Sequence, residues 1–427
     1  MQDLIHQMRR DWDDRAREDA RYYVAFGRRD QDDEEFARTA DHVLDRLRRD
    51  CLYLHAAAVH ERRFLEIGCG IGRLMRPLAA DCGEIHGVDI SPEMAARAGE
   101  YLASTPSAHV HVTEANDLAA FAGNSFDFVY SYAVFQHIPD RSFVERYIDE
   151  AYRVLKPWGV FSAQFNGARP DAASRDSWVG VWISEQELFA YLKERGWRVL
   201  ASEGRDTQYL WVAARKQPQG AGAPHGRLRL ISVRSDTGDR WLYAGGPRGF
   251  GAIALEGLCE EHADLTSLEL HIGDRPAQIT RIWPVGANGK RRLTIYVPET
   301  VRTGFWPAVI TRSGRRVSNL LMAEVRPSPP AAPRIVHVGD GKEHCLGPVI
   351  KWPVMQIAIA DLIEAGSVRI EIGAEEVSGI SVFCADPVKR LYLVNVPVPP
   401  GITGRCDLRV SADGVGLPPV GIQIVKR

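Results

Sequence analysis

The sequence predicts an α/β domain built on a seven-stranded parallel sheet behind an N-terminal helical cap, followed by two all-β sandwich domains. Three observations predict it. Between Arg63 and about Arg215, short apolar strands alternate with helical stretches, the pattern that puts helices on both faces of a parallel sheet. One of those strands runs directly into a glycine turn, Gly68-Cys-Gly70-Ile-Gly72, that opens a helix. Beyond about residue 225 the apolar period drops to two, with Gly, Pro and Asn turns and almost no helical periodicity.

The elements follow in order. Residues 1–57 read as a helical cap or lid, with Phe36, Ala40, Val43, Leu44, Leu47 and Cys51 at helical spacing and charges on the other face. Residues 58–216 form the α/β domain. Its strands are expected at Arg63–Ile67, Glu84–Asp89, His109–Thr113, Phe126–Ser131, Val160–Asn166, Arg198–Glu203 and Gln208–Ala213, with helices near 73–80, 92–103, 142–155 and 184–195. Pro157-Trp158-Gly159 reads as a break between the third of those helices and the fifth strand.

Gln217–Pro224 is a Pro/Gly linker and Arg326–Pro333 a second, stiffer one, so the sandwiches are placed at 225–326 and 333–427. They repeat each other. Leu268-x-Leu-x-Ile272-Gly273 matches Val368-x-Ile-x-Ile372-Gly373, and Gly304 to Gly314 has the spacing of Gly404 to Gly414. The offset of about 100 residues is the size of an immunoglobulin-like sandwich. Because the first linker follows every strand of the α/β domain, residues 1–216 are expected to fold alone.

Composition narrows the function classes. The 427 residues are 45% hydrophobic and 25% charged with a formal net charge of −2, so no basic field favours nucleic acid. No run of about 18 apolar residues is present and the first ten residues are polar, so no membrane partner is expected and the expected location is cytoplasmic. The seven cysteines are scattered without a C-x-x-C pair, which reads as reduced thiols and no metal site. The adjacent His344 and Cys345 are the nearest thing to a ligand pair, and on a strand they point to opposite faces.

The chemistry sits in Phe64-Leu-Glu66-Ile-Gly68-Cys69-Gly70-Ile-Gly72-Arg73. Only glycine lets a backbone come so close to a ligand, although such a turn alone also fits a ligand-free bend. Seventeen residues after Gly72, the second strand ends in Val88-Asp89-Ile90-Ser91-Pro92, where an acid can accept both hydroxyls of a ribose. A dinucleotide site shares that acid but needs G-x-G-x-x-G for its pyrophosphate; the third glycine here comes one residue early, which favours a nucleoside without phosphates.

With Asp89, Asn116-Asp117-Leu118, Ser125-Phe-Asp127-Phe-Val-Tyr-Ser131 and Leu155-Lys-Pro-Trp-Gly159 added, residues 40–215 resemble the class I S-adenosylmethionine-dependent methyltransferases. The resemblance implies a Rossmann-like sheet with S-adenosyl-L-methionine across the ends of its first strands. It implies cofactor-binding roles for Glu66, Gly68, Cys69, Gly70, Gly72, Arg73, Asp89, Ile90, Asn116, Asp117, Leu118 and Ser131. Asp89 would hold the ribose, Ile90 the adenine, Arg73 the cofactor carboxylate, and Glu66 would order the glycine loop through backbone amides. Trp158 stands where the family has glycine. The two C-terminal repeats resemble IPT/TIG-like immunoglobulin modules.

Methyl transfer from a sulfonium is an in-line displacement, so alignment supplies much of the rate. A hydroxyl acceptor also needs a base. His137, in Val134-Phe-Gln136-His137-Ile-Pro139 after the fourth strand, is the candidate, with a packed loop histidine as the plainer reading. Tyr22 and Tyr23, with Phe26, are candidates for a lid over the bound cofactor, the two tyrosines also for substrate contact, and Gln136, Gln164, Trp178 and Trp182 are candidate acceptor-pocket walls. The expected activity is methyl transfer to a small-molecule O, N or S acceptor. A glycan- or protein-directed enzyme targeted by its sandwiches, or a scaffold that senses the cofactor, are the alternatives, and the sandwiches are the surfaces for any homo-oligomer or protein partner.

Overall fold

The computed structural model describes residues 2–25, 31–54, 58–113, 117–167, 180–217, 226–246, 248–329, 332–340, 347–351, 353–386 and 390–425. Phe26, Asn116, Trp178, His344, Cys345 and most of the first linker lie outside them.

The alternating segment forms β1 (Arg63–Ile67), β2 (Glu84–Asp89), β3 (Ala108–Val112), β4 (Phe126–Ser131), β5 (Leu155–Phe165), β6 (Trp197–Glu203) and β7 (Leu210–Lys216). Their order is β3-β2-β1-β4-β5-β7-β6, and β7 runs against its two neighbours while the other pairings are parallel. Strand order reverses between β1 and β4, so a crevice opens beyond the carboxyl ends of β1, β2 and β4. Pro157-Trp158-Gly159 does not break the chain. It lies inside β5, where the register against β4 slips, Trp158 takes φ of +70°, and the Arg215 guanidinium covers its ring at 5.6 Å.

The helices are α1 (Gln2–Ala25, kinked at Asp19), α2 (Asp33–Arg38), α3 (Asp41–Cys51), α4 (Met75–Leu78), α5 (Pro92–Tyr101), α6 (Arg141–Val154) and α7 (Glu185–Glu194). Local chemistry sets their starts: Ser91 Oγ accepts from Met94 N at 3.0 Å ahead of Pro92, and Ser184 with Glu187 closes a capping box on α7. In the cap, Phe36, Ala40, Val43, Leu44 and Leu47 are buried as their spacing requires. Among the described residues no helix is long and apolar enough to cross a membrane.

The first C-terminal region comprises β8 (Arg229–Ser235), β9 (Leu242–Ala244), β10 (Phe250–Glu256), β11 (Glu269–Ile272), β12 (Arg275–Val285), β13 (Arg291–Tyr296), β14 (Gly304–Arg312), β15 (Arg315–Arg316) and β16 (Leu321–Pro327). It is all-β, as expected. It is not separate from the α/β domain: β12 pairs with β6 at Arg281 and Ala201, and buried apolar side chains of both regions make one continuous core.

Two buried charge networks cross the same junction. Arg281 donates to Asp50 at 2.8 Å and to Glu203 at 2.9 Å, while Asp50 also accepts from Ser162 Oγ at 2.6 Å and Glu203 pairs with Arg46. Burial alone would raise the Glu203 carboxyl, but the Arg46 and Arg281 guanidiniums outweigh it and hold it at about 2. In the second network Glu260 sits between Arg215 of β7 and Arg291 of β13. Residues 1–216 and the first all-β region thus share a core, and the linker marks a change of strand pattern and not the end of that core.

The second C-terminal region, from Arg334 to Ile424, is two further sheets around a hydrophobic core of its own. The repeat is visible strand by strand: Glu269–Ile272 recurs as Arg369–Ile372, Gly304–Arg312 as Gly404–Ala412 and Arg315–Arg316 as Val415–Gly416. Glycine is required at the same turns, with φ of +64° and +66° at Gly273 and Gly373.

Candidate active site

The crevice at the strand reversal is a hollow that opens to solvent. Its floor is the glycine turn. Gly68 and Gly70 have φ of +71° and +52°, and their tight path is held by Val88 O, which accepts from Gly68 N at 2.8 Å and Cys69 N at 3.0 Å. Asp89 Oδ2 accepts from Gly70 N at 2.8 Å and Oδ1 from Ser91 N at 2.9 Å, so this carboxylate stitches the ends of β1 and β2 together. That ordering role was expected of Glu66. Its carboxylate instead accepts from Tyr130 Oη at 3.0 Å beneath the turn, and burial pushes it up to about 8 against that bond and Arg73.

Helix α1 is the roof. Arg9 donates to Ile90 O at 3.2 Å and Thr113 O at 3.1 Å, and Asp13 accepts from Ser91 Oγ at 2.5 Å and Glu93 N at 3.2 Å, so the helix lies across the ends of β2 and β3. Met8, Trp12, Tyr23 and Val24 face the hollow from it. Ala16 and Ala20 pack on Phe36, Met94 and Ile71 of the glycine turn. From the far side come Tyr132, Val134, His137 and Tyr147, with the Trp12 ring edge-on to His137 at 5.6 Å.

The hollow thus gathers Glu66, Gly68, Cys69, Gly70, Arg73, Asp89, Ile90, Tyr23 and His137 from the residues singled out in the sequence. Others lie outside its lining. Gly72 turns the chain beneath Leu102, and a Cβ there would stand 2.7 Å from its Cδ1. Asp117 pairs with Arg146 at 3.2 Å, Leu118 is buried with its amide on Glu150, and Ser131 Oγ donates to Ile67 O at 3.0 Å. Tyr22 stacks edge-on against Tyr23, 5.1 Å between centroids, and Gln136 and Gln164 bond each other beside the hollow. Met8, Trp12, Val24, Thr113, Tyr132 and Tyr147 were missed. For α1 the signal existed: Ile5, Met8, Trp12 and Ala16 recur at helical spacing, diluted by the Asp and Arg between them.

Residues 65–163 match the family model of a methyltransferase domain. Those residues are thus similar to methyltransferase domains. Among curated proteins the chain is 39% identical over 97 residues to phosphoethanolamine N-methyltransferase 2 of Caenorhabditis elegans, covering 22% of each chain. It is 38% identical over 97 residues to 2-methyl-6-phytyl-1,4-hydroquinone methyltransferase of Synechocystis, covering 22% of this chain and 29% of that one. It is 32% identical over 136 residues to a ubiquinone biosynthesis O-methyltransferase of Xanthomonas oryzae pv. oryzae, covering 31% and 53%. The chain thus spans between about a fifth and about half of the curated relatives' length.

The cofactor of the methyltransferase domain is S-adenosylmethionine, and the residues present fit it. Arg73 is buried at the hollow's wall; its Nη1 donates to Thr39 O at 2.8 Å, while its Nε has no partner among the described residues. A buried guanidinium N–H in that position suits a carboxylate. Asp89 faces the same hollow with lone pairs left for two hydroxyls.

The pH dependence of binding follows from Asp89. Burial pushes its carboxyl up to about 6, against the amides of Ser91 and Gly70 that favour the charged form. A ribose held here would donate its hydroxyls to the ionised carboxylate, so binding would have to release a proton below that value. Affinity measured by calorimetry should be flat above about pH 7 and fall by up to about tenfold per pH unit well below pH 6. Asp89→Ala should weaken binding at least about tenfold, since each charge-assisted bond contributes about 1.5–3 kcal/mol, and should remove that pH dependence. An unchanged affinity in a folded variant speaks against the assignment.

Proposed function

We propose that the chain transfers a methyl group from S-adenosylmethionine to a small-molecule oxygen, nitrogen or sulfur acceptor. The observation that carries this reading is the roofed hollow at the strand reversal, where the glycine turn, Asp89 and the unpartnered Nε of Arg73 line one space with His137. A roof of Met8 and Trp12 suits a small acceptor better than a folded protein or a polymer. The relatives named for phosphoethanolamine, a phytyl hydroquinone and ubiquinone biosynthesis favour small acceptors and leave the acceptor atom open.

When bound, the cofactor supplies a methyl group on a positively charged sulfur. Asp89 holds the ribose and Arg73 the carboxylate, which fixes the donor; Trp12, Tyr132 and Tyr147 exclude water and limit the acceptor's approach. His137 takes the proton of a hydroxyl acceptor.

The test is turnover. With a hydroxyl acceptor, His137→Ala should lower the rate by about 10²–10⁴ and leave cofactor affinity nearly unchanged. A thiol, already a few per cent ionised at neutral pH, should retain its rate. Wild-type rates on a hydroxyl acceptor remove His137 as the base, and no transfer to any small acceptor by a cofactor-loaded protein removes the reading itself.

A further inference from the structure

Beside the hollow runs a chain of side-chain amides whose direction can be fixed without seeing a hydrogen. It starts at Gln164 on β5, a fully buried residue. The Ala133 backbone N–H, which can only donate, meets one end of the Gln164 amide at 3.0 Å. The other end meets Phe165 O at 3.1 Å and Gln208 O, which can only accept. Three backbone groups therefore agree that Oε1 faces Ala133 and Nε2 faces away. Ala133 itself sits at φ of +55°, a costly conformation for alanine that aims its N–H at Gln164.

Orientation then propagates. The two N–H groups of Gln164 Nε2 are shared among three oxygens, the third belonging to the Gln136 amide at 2.8 Å; an amide nitrogen at that place would set N–H against N–H, so the atom of Gln136 that faces Gln164 is Oε1. Gln136 must present its Nε2 to the His137 ring, and it does so 3.2 Å from Nε2 of the imidazole. An N–H pointed at Nε2 requires a lone pair there. In this network neutral His137 carries its proton on Nδ1, and both the opposite tautomer and the imidazolium would set N–H against N–H.

We infer that Gln164 is a positioning residue: through Gln136 it fixes the tautomer of His137, leaving on Nε2 the lone pair that an acceptor's X–H replaces Gln136 to reach. Gln136 is half-buried, whereas Gln164 is fully buried and bonded to three backbone groups. This rests on the reading of His137 as the base, and it assigns Gln164 a part in the reaction without contact to either substrate.

The experiment is ¹⁵N NMR of the full chain with labelled histidine near neutral pH, the His137 ring being assigned by its loss in His137→Asn. Nε2 should resonate as an unprotonated nitrogen in the wild type. Gln164→Met should shift it toward a mixture of tautomers although residue 164 does not touch the ring, and Gln136→Glu should move it to the protonated position because a carboxylate accepts where the amide donated. A wild-type ring protonated on Nε2 overturns the proposal. So does a Gln164→Met protein whose His137 signals are unchanged. If Gln164→Met does not fold, Gln136→Glu decides: an Nε2 that stays unprotonated there overturns the relay. Turnover separates the two readings, since an altered tautomer with unaltered rate on a hydroxyl acceptor leaves the relay standing and removes His137 as base.

Discussion

A protein ending at residue 216 is expected not to fold. Cutting there exposes the edge of β6 and the apolar side chains that pack against the first all-β region, and it leaves Asp50 and Glu203 without Arg281. Asp50 and Arg281 are both buried, and removing one partner of such a pair costs about 3–5 kcal/mol. That is a large part of a total of about 5–15 kcal/mol. Arg281→Met alone should therefore lower the unfolding free energy by about 3–5 kcal/mol in a urea titration. Replacing Asp50 by Leu in the same protein should recover much of the loss, because the stranded charge goes with it. The Glu203 contribution should persist above the ordinary carboxylate range and disappear as pH falls toward about 2, the value at which Arg46 and Arg281 hold it. A chain ending near residue 329 should fold and bind cofactor. A soluble 1–216 protein with a cooperative transition and full cofactor affinity would defeat this account of the junction.

Gly70→Val should abolish cofactor binding, a loss of at least about a hundredfold, for three reasons that add. Valine at φ of +52° pays about 1–2 kcal/mol for the left-handed backbone alone. Its Cβ would stand 2.8 Å from Val24 Cγ2, so the turn or the roof must move. Any such movement pulls the Gly70 amide off Asp89, releasing the carboxylate proposed to hold the ribose. Calorimetry with S-adenosylmethionine reads the effect, and near-UV circular dichroism checks that the rest of the chain is intact. Retained affinity would place the cofactor elsewhere.

The strands of the methyltransferase domain, the glycine turn, Asp89 and the repeat were legible because each is written in apolar period, glycine or an acid at a strand end. The start of β5 was not, since Pro157 and Gly159 read as a break and only the pairing with β4 carries the strand through them. The roof was half legible: α3 shows a clean apolar face, whereas α1 mixes its buried residues with arginines that bond across the fold, such as Arg9. The junction was invisible for the same reason. Arg215, Arg281 and Arg291 are among the most buried large side chains, and a pattern that counts arginine as surface reads each as a solvated position.

The pairing of Asp50 with Arg281 also sets an order of events at the ribosome. Because 231 residues separate them, synthesis at about 5–20 residues per second leaves the amino-terminal half waiting roughly 12–46 s for its counter-charge. During that interval every strand that borders the cofactor hollow has been made, yet the side of the sheet that closes on Arg281 is unfinished. A nascent chain stalled before residue 281 should be a client for chaperones, and cofactor supplied during translation should have nothing settled to bind until the first all-β region has emerged.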